Sequence, residues 1–194
     1  MQNLWFYIKL GLNHVLDFSA YDHILFLAAL ALPFTFKNWK KVVVLATVFT
    51  IAHCLSLALS SYDVLVMNVE LIEFLIPLTI IITAIFNFFY MNTRAEDKSL
   101  LLHKLATTFF GLIHGFGFSN YFRMLVAEED DKLFPLLGFA TGIEISQMLI
   151  VISVLMLAYI VLSLLKIKQI HFVVISSILI ILVTIPMLIR TFPI

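Results

Sequence analysis

The sequence predicts an all-α, polytopic membrane helix bundle with six transmembrane helices and a short N-terminal interfacial or re-entrant helix. Of the 194 residues, 62% are hydrophobic and 12% are charged, whereas soluble domains have about 45–50% apolar and about 25% charged residues. The apolar runs are continuous over about 20 residues, as in spanning helices, and do not alternate as in membrane β-barrels. The length suits one domain, so residues 1–194 are treated as a single integral membrane domain.

The elements follow from these runs in chain order. Residues 3–15 are interrupted by Lys9 and His14, so this short stretch is expected to be interfacial or re-entrant rather than spanning. The six predicted spans are residues 21–36, 42–60, 69–91, 105–126, 134–165 and 170–189. The fifth run is too long for one straight span, so it either starts outside the hydrocarbon or breaks near residues 138–142.

Basic residues predict the orientation. One set of loops holds Lys37, Lys40, Lys41, Arg94, Lys98, Lys104, Lys166 and Lys168, and the opposite set holds Lys9, Arg123, Lys132 and Arg190. Cytoplasmic loops carry the excess of lysine and arginine. We therefore predict a multi-pass protein of the cell membrane whose loops 37–41, 92–104 and 166–169 are cytoplasmic.

Several classes of function are excluded by composition. The formal net charge is zero and no basic run occurs, which excludes nucleic acid as an expected partner. A single cysteine, Cys54, excludes an intrachain disulfide framework. The N-terminus lacks a basic region and a small-residue cleavage site, so it is not expected to be a cleaved signal peptide. The phosphate-binding pattern of P-loop ATPases is absent from the sequence.

Ionisable residues inside the predicted spans are the candidate functional residues, because each costs about 2.5–3.5 kcal/mol at the bilayer centre. They are Asp22, His23, His53, Glu70, Glu73, His114 and Glu144, with Gln147 beside them and His14 and Asp17 just before the first span. Counted from the cytoplasmic lysines at about 1.5 Å per residue, His23, His53 and His114 lie about 21, 18 and 15 Å deep. We therefore expect these histidines to meet, with Glu73 and Glu144 further toward the outside.

The spacing and the residue types predict a metal site. Glu70 and Glu73, like Glu144 and Gln147, are three residues apart and share a helix face. Glycines beside His114, at 115 and 117, allow a helix or a ligand to approach closely. Neutral imidazole suits zinc, copper, iron and nickel, so the expected ligand is a divalent transition metal ion. Cys54 follows His53 directly, and neighbouring helical residues point about 100° apart, so the two are not expected to share one ion.

Several motifs together resemble a known family. They are DHILFLAAL from Asp22, FTIAHCLSLAL from Phe49, the Glu70/Glu73 helix ending near Asn87, FGLIHGFGFS from Phe110 and GFATGIEISQ from Gly138, in this order. Over roughly residues 11–150 they resemble the HupE/UreJ family of hydrogenase and urease accessory membrane proteins. The resemblance implies a nickel or cobalt permease that serves metalloenzyme assembly. It also implies that His14, Asp22, His23, His53, His114 and Glu144 are the polar motif residues.

The sequence departs from the family pattern at His14. The family has five residues between this histidine and the Asp-His pair, whereas seven separate His14 from Asp22 here. Unless a loop absorbs the two extra residues, His14 is displaced relative to His23, and Asp17 could take its place. Cys54 stands where the family tends to have serine.

Two functions of different classes stay open from the sequence, besides a structural or assembly protein whose polar core only specifies packing. The leading one is transport or delivery of a nickel- or cobalt-type cation through an intramembrane histidine–carboxylate site. Its partners would be the lipid bilayer, the ion, and a metalloenzyme maturation partner or a second copy of the chain. The alternative is an intramembrane zinc-dependent hydrolase or acyl-transfer enzyme acting on a lipid-embedded substrate, with Glu73 or Glu144 as general base. Ser119 is a weaker candidate as the nucleophile of a non-metal variant.

Overall fold

The structure is a computed structural model that describes residues 3–92 and 100–193, and these residues form helices and connecting turns without a strand. The helices are α1 (Leu4–Leu16), α2 (Asp22–Ala31), α3 (Trp39–Ser61), α4 (Val69–Asn92), α5 (Leu100–Leu125), α6 (Leu133–Tyr159) and α7 (Gln169–Arg190). A 3-10 turn precedes α3, and a π-helical segment, Ile160–Leu164, follows α6. The predicted all-α class is confirmed.

Four of these segments are long and apolar enough to cross a membrane. They are Phe36–Ser61, Val69–Met91, Leu133–Leu164 and Gln169–Arg190. The helix α5 has 26 residues but is not in this set, and its histidines, glycines, serine and asparagine lower its hydropathy. The helix α2 has only 10 residues, or about 15 Å, and a bilayer core is about 30 Å thick. Helix length and composition therefore do not confirm six separate spanning helices.

The N-terminal helix α1 lies alongside α6 and runs parallel to it. Gly11 packs against the backbone of Phe139 and Gly142, and a Cβ added at Gly142 would overlap the carbonyl of Ile8. The glycines at 138 and 142 thus serve close helix contact, since a missing side chain allows two backbones to approach. The helix α6 is continuous from Leu133 to Tyr159, so the alternative of a break near residues 138–142 is wrong.

The helices α1 and α2 follow one another along the length of the bundle. At the start of α1, the Tyr7 hydroxyl donates to Glu129 Oε1 (3.0 Å), in the loop between α5 and α6. Near the end of α2, Asn87 Nδ2 donates to the carbonyl of Ala29 (2.9 Å), close to the far end of α4. The turn at residues 17–21 therefore lies between the two ends of the bundle.

The outer faces of the helices expose large apolar side chains. On α6, Leu149 and Met156 are 53% and 52% exposed, and on α7, Leu182 is 58% exposed. Such faces suit contact with lipid chains, which replace a protein partner in the membrane. Together with the four long apolar helices, this surface identifies the chain as a membrane protein.

Candidate metal centre

Four histidines from four helices meet inside the bundle. His14 lies in the last turn of α1, His23 in the first turn of α2, His53 in α3 and His114 in α5. The ring centroid of His23 is 4.6 Å from that of His14, 5.4 Å from that of His53 and 5.2 Å from that of His114. The structure thus brings together the three histidines for which the sequence predicts a common depth, and it adds His14.

The turn between α1 and α2 explains why His14 takes part. The helix α1 ends at Leu16 and α2 begins at Asp22, so the two extra residues fall in an irregular turn that absorbs them. In that turn the Asp17 side chain is exposed and accepts a hydrogen bond from the backbone N–H of Ser19 (2.7 Å). Asp17 therefore serves the turn, and His14 occupies the position in the cluster.

Asp22 links two of the imidazole rings. Its Oδ1 lies 3.3 Å from His23 Nδ1, and its Oδ2 lies 3.9 Å from His114 Nδ1. Asp22 is the first residue of α2 and Tyr21 is the N-cap, so the carboxylate does not cap the helix. A carboxylate that accepts from one ring nitrogen fixes the tautomer and leaves the other nitrogen as a metal ligand. His23 therefore offers its Nε2 lone pair.

Thr79 sets the tautomer of His114. The Thr79 hydroxyl donates its single proton to the Ile76 carbonyl (2.7 Å), as threonine does within a helix. His114 Nε2 lies 3.0 Å from the same hydroxyl oxygen, so this nitrogen is the donor of that hydrogen bond. His114 therefore keeps its Nδ1 lone pair free, on the side of Asp22.

Five buried ring nitrogens of this cluster have no hydrogen-bond partner among the described residues. They are His14 Nε2, His23 Nε2, His53 Nδ1, His53 Nε2 and His114 Nδ1. An unsatisfied buried polar atom costs about 1–3 kcal/mol, so a cluster of five requires a reason. A bound metal ion would partner the nitrogens that carry a lone pair, because each neutral imidazole offers one lone pair to a transition ion.

The ligand atoms form two overlapping groups. Atoms of His14, His23 and His53 all lie within 4.8 Å of one another, and so do atoms of Asp22, His23 and His114. A tetrahedral site with bonds of about 2.1 Å needs ligand atoms about 3.4 Å apart. Small side-chain rotations could bring either group to that geometry. Because His23 belongs to both groups, it connects them.

Glu144 lies next to the cluster but outside both groups. Its Oε1 accepts from Thr47 Oγ1 (2.6 Å) and its Oε2 accepts from Thr50 Oγ1 (2.5 Å). Thr50 precedes His53 by about one turn of α3, on the side of Trp39. The prediction that Glu144 lies further out than the histidines is therefore wrong. The first turns of α6 run beside α1, so Glu144 lies deeper than its position in the apolar run suggested.

The other predicted residues are distributed as follows. The side chains of Glu70 and Glu73 are exposed on α4, and neither belongs to a ligand group. Gln147 is fully buried, and both polar atoms of its amide are unpartnered in the described residues. Cys54 is buried and lies outside both groups.

Glycine positions α5 against α3 at the level of the cluster. A Cβ added at Gly115 would overlap Ser56 Oγ and the carbonyl of His53. A Cβ added at Gly117 would meet only side-chain atoms, the nearest being Ile76 Cδ1 at 2.7 Å. Gly115 therefore allows the close approach that sets His53 and His114 side by side, and Gly117 faces the side chains of α4.

Sequence reasoning missed the threonines that support the site. Thr79 orients His114, and Thr47 and Thr50 hold Glu144. Threonine is unremarkable in an apolar helix, since its hydroxyl can bond to its own backbone. The available signal was position: Thr50 lies three residues before His53 and so shares its helix face.

Comparison with known proteins identifies a family. No curated protein and no solved structure matches the chain. A family model described as HupE / UreJ protein matches residues 1–190. The match includes α1 and α7, which lie outside the motifs that carry the resemblance in the sequence. Because it spans almost the whole chain, the chain belongs to the HupE/UreJ family.

Proposed function

We propose that this protein binds a divalent transition metal ion of the nickel or cobalt type inside the membrane, and transports it or delivers it for metalloenzyme assembly. The observation that carries the proposal is the convergence of five unpartnered ring nitrogens on one buried cluster. Membership of the HupE/UreJ family supports a function in metal transport or as an accessory protein. The proposed ligands are His14, Asp22, His23, His53 and His114.

The ligand set favours a transition metal ion over calcium or magnesium. Calcium and magnesium prefer all-oxygen sites, whereas this set is dominated by imidazole. Transport requires binding strong enough for entry and weak enough for release. Both groups include the side chain of His23, so the two candidate positions for an ion are adjacent. Glu144 and Gln147 are proposed supporting residues, and the exposed Glu70 and Glu73 have no part in this proposal.

We propose further that the chain crosses the membrane six times, with α1 and α2 together forming a discontinuous first crossing. Their helical lengths of about 20 and 15 Å add up to one bilayer core. Discontinuous helices place helix ends and polar groups near the midplane, as they do in many transporters. On the lysine rule, loops 37–41 and 166–169 face the cytoplasm. Of loop 92–104, residues 93–99, with Arg94 and Lys98, lie outside the described residues.

The test compares two histidine-to-alanine variants. His53→Ala removes two of the unpartnered nitrogens, whereas His171→Ala removes an exposed imidazole at the start of α7. We expect His53→Ala to lose bound metal and cobalt uptake in cells, and His171→Ala to retain both. Equal metal content and uptake in wild type and His53→Ala would contradict the proposal. A zinc ion bound at one per chain that resists exchange would support the hydrolase alternative instead.

A further inference from the structure

Three phenylalanines close one side of the histidine cluster. Phe26 in α2 stacks on Phe49 in α3, with ring centroids 4.7 Å apart and planes at 27°. The edge of Phe110 in α5 meets Phe26, with centroids 6.1 Å apart and planes at 85°. The centroid of Phe26 is also 5.2 Å from that of His114. All three side chains are buried, so they form a continuous apolar layer.

Each phenylalanine lies about one helical turn from a histidine of the cluster. Phe26 follows His23 by three residues, and Phe49 and Phe110 precede His53 and His114 by four. Because α2 is antiparallel to α3 and α5, all three phenylalanines lie on the same side of the histidines. That side faces the end of the bundle that carries Lys37, Lys40 and Lys41. The layer therefore separates the cluster from that end.

A small cavity lies directly beyond the layer. Its volume is about 40 Å³. Most of its lining residues are apolar, among them Leu30, Pro33, Phe86 and Phe110, and its polar lining residues are Thr83, Asn87, His103 and Thr107. The volume has room for a few waters, since one water needs about 10–15 Å³ together with polar partners, of which the lining offers four side chains. Thr107 precedes Phe110 by about one turn of α5. The cavity thus begins where the apolar layer ends.

A row of buried polar side chains on α4 extends from the histidine side of the phenylalanine layer to the cavity side. Thr79, Thr83 and Asn87 are spaced by four residues and share a helix face. Thr79 bonds to His114 above the layer, and Thr83 and Asn87 line the cavity below it. The Thr83 hydroxyl donates to the Thr79 carbonyl (2.8 Å), which leaves its oxygen lone pairs available to a cation or its hydration water.

We propose that Phe26, Phe49 and Phe110 form the inner gate of the metal pathway, and that the cavity beneath them receives the divalent cation as it regains water. The inference rests on the proposed function. An apolar constriction blocks an ion because water is excluded from it and the ion would lose its hydration there. Phe110 is the moving element: Phe26 and Phe49 are stacked and fully buried, whereas the ring of Phe110 is nearly perpendicular to that of Phe26 and borders the cavity.

Cysteine accessibility tests the barrier without requiring transport. In a Cys54→Ala background, Thr107→Cys places a thiol below the layer and Thr79→Cys places one above it. A membrane-impermeant, positively charged methanethiosulfonate is applied to the face that carries Lys37, Lys40 and Lys41. We expect Thr107→Cys to react and Thr79→Cys to resist, and Thr79→Cys to react once Phe110→Ala is added.

Three outcomes would overturn the gate. They are an unreactive Thr107→Cys, a Thr79→Cys that reacts as fast as Thr107→Cys with Phe110 intact, and a Thr79→Cys that stays unreactive with Phe110→Ala. The first two comparisons keep all three phenylalanines, so they decide the matter even where Phe110→Ala fails to fold.

A measurement of cobalt flux distinguishes failure of the gate from failure of the proposed function. Cobalt chloride is the probe, and Phe110→Ala is compared with Phe109→Ala. Phe109 is the neighbouring residue in the chain, and its side chain is 59% exposed. We expect both variants to bind as much cobalt as wild type, and only Phe110→Ala to pass it faster into proteoliposomes. A wild type that binds no cobalt defeats the proposed function. A wild type that binds and moves cobalt, with an unchanged rate in Phe110→Ala, defeats the gate alone.

Discussion

Hydrogen-bond partners decide which nitrogen each imidazole offers. Asp22 accepts from His23 Nδ1, and Thr79 accepts from His114 Nε2, so one ring offers Nε2 and the other Nδ1. His53 has no partner at either nitrogen among the described residues. It is therefore the ring that contributes most unpartnered nitrogens to the cluster, and its substitution is the sharpest test of binding.

Substitution of Asp22 tests the orienting role of its carboxylate. Asp22→Asn keeps the size of the side chain but removes the charge and replaces one acceptor by a donor. We expect metal affinity to fall by about 10–100-fold, the usual effect of losing such a partner. Cobalt titration of the purified protein measures it.

The matched control is Asp17→Asn, because Asp17 is exposed and bonded to the backbone of Ser19. It should leave cobalt affinity at the wild-type value. An equal loss in both variants would show that the charge near α2, and not the orientation of His23, sets the affinity.

At the scale of the helices, small residues set the spacing between the elements that carry ligands. Gly115 brings α5 onto α3, and Gly11 and Gly142 bring α1 onto α6. These contacts hold His14, His53 and His114 close to His23. The metal cluster is thus a product of helix packing as much as of its own side chains.

Gly115→Ala tests this spacing. The added methyl overlaps Ser56 and the His53 carbonyl, so α5 must move away from α3. Overpacking of this kind costs typically about 1–3 kcal/mol. We expect a lower thermal stability in detergent and less bound cobalt per chain.

Gly117→Ala is the control within the same motif. Its added methyl meets the flexible end of Ile76, which can turn aside. We expect a smaller loss of stability and normal cobalt binding. Should Gly117→Ala prove as harmful as Gly115→Ala, the close contact of α5 with α3 would not be what positions the histidines.

For the whole molecule, the break between α1 and α2 determines which polar groups meet. One end of α1 and one end of α2 lie at the level of the cluster, and they supply His14, Asp22 and His23. A continuous helix could not place His14 beside His23, because residues nine apart are about 13 Å apart along its axis. The interruption at residues 17–21 is therefore required for the site.

The proposed discontinuous crossing predicts that the start of α1 and the end of α2 face opposite sides of the membrane. In a Cys54→Ala background, Asn3→Cys and Lys37→Cys are exposed positions before α1 and after α2. An impermeant thiol reagent should label them from opposite faces of sealed vesicles. Labelling of both from the same face would show that α1 and α2 form a re-entrant loop.

The sequence by itself determined the fold class, the membrane environment and the residues to examine. Continuous apolar runs leave helices as the expected solution, and an ionisable residue within such a run needs a partner, so His23, His53 and His114 stood out. The motif order also indicated the family that the match over residues 1–190 establishes. These conclusions depend on local composition and spacing, which a sequence displays directly.

Only the tertiary structure decided how those residues combine. It placed His14 in the cluster and Asp17 outside it, lowered Glu144 to the level of Thr50, and left Glu73 exposed. It also showed that α2 is too short to cross alone, and it aligned three phenylalanines beneath the histidines. Each outcome depends on how one helix is rotated and shifted against another. That packing is set by contacts between residues far apart in the chain, which helical periodicity does not encode.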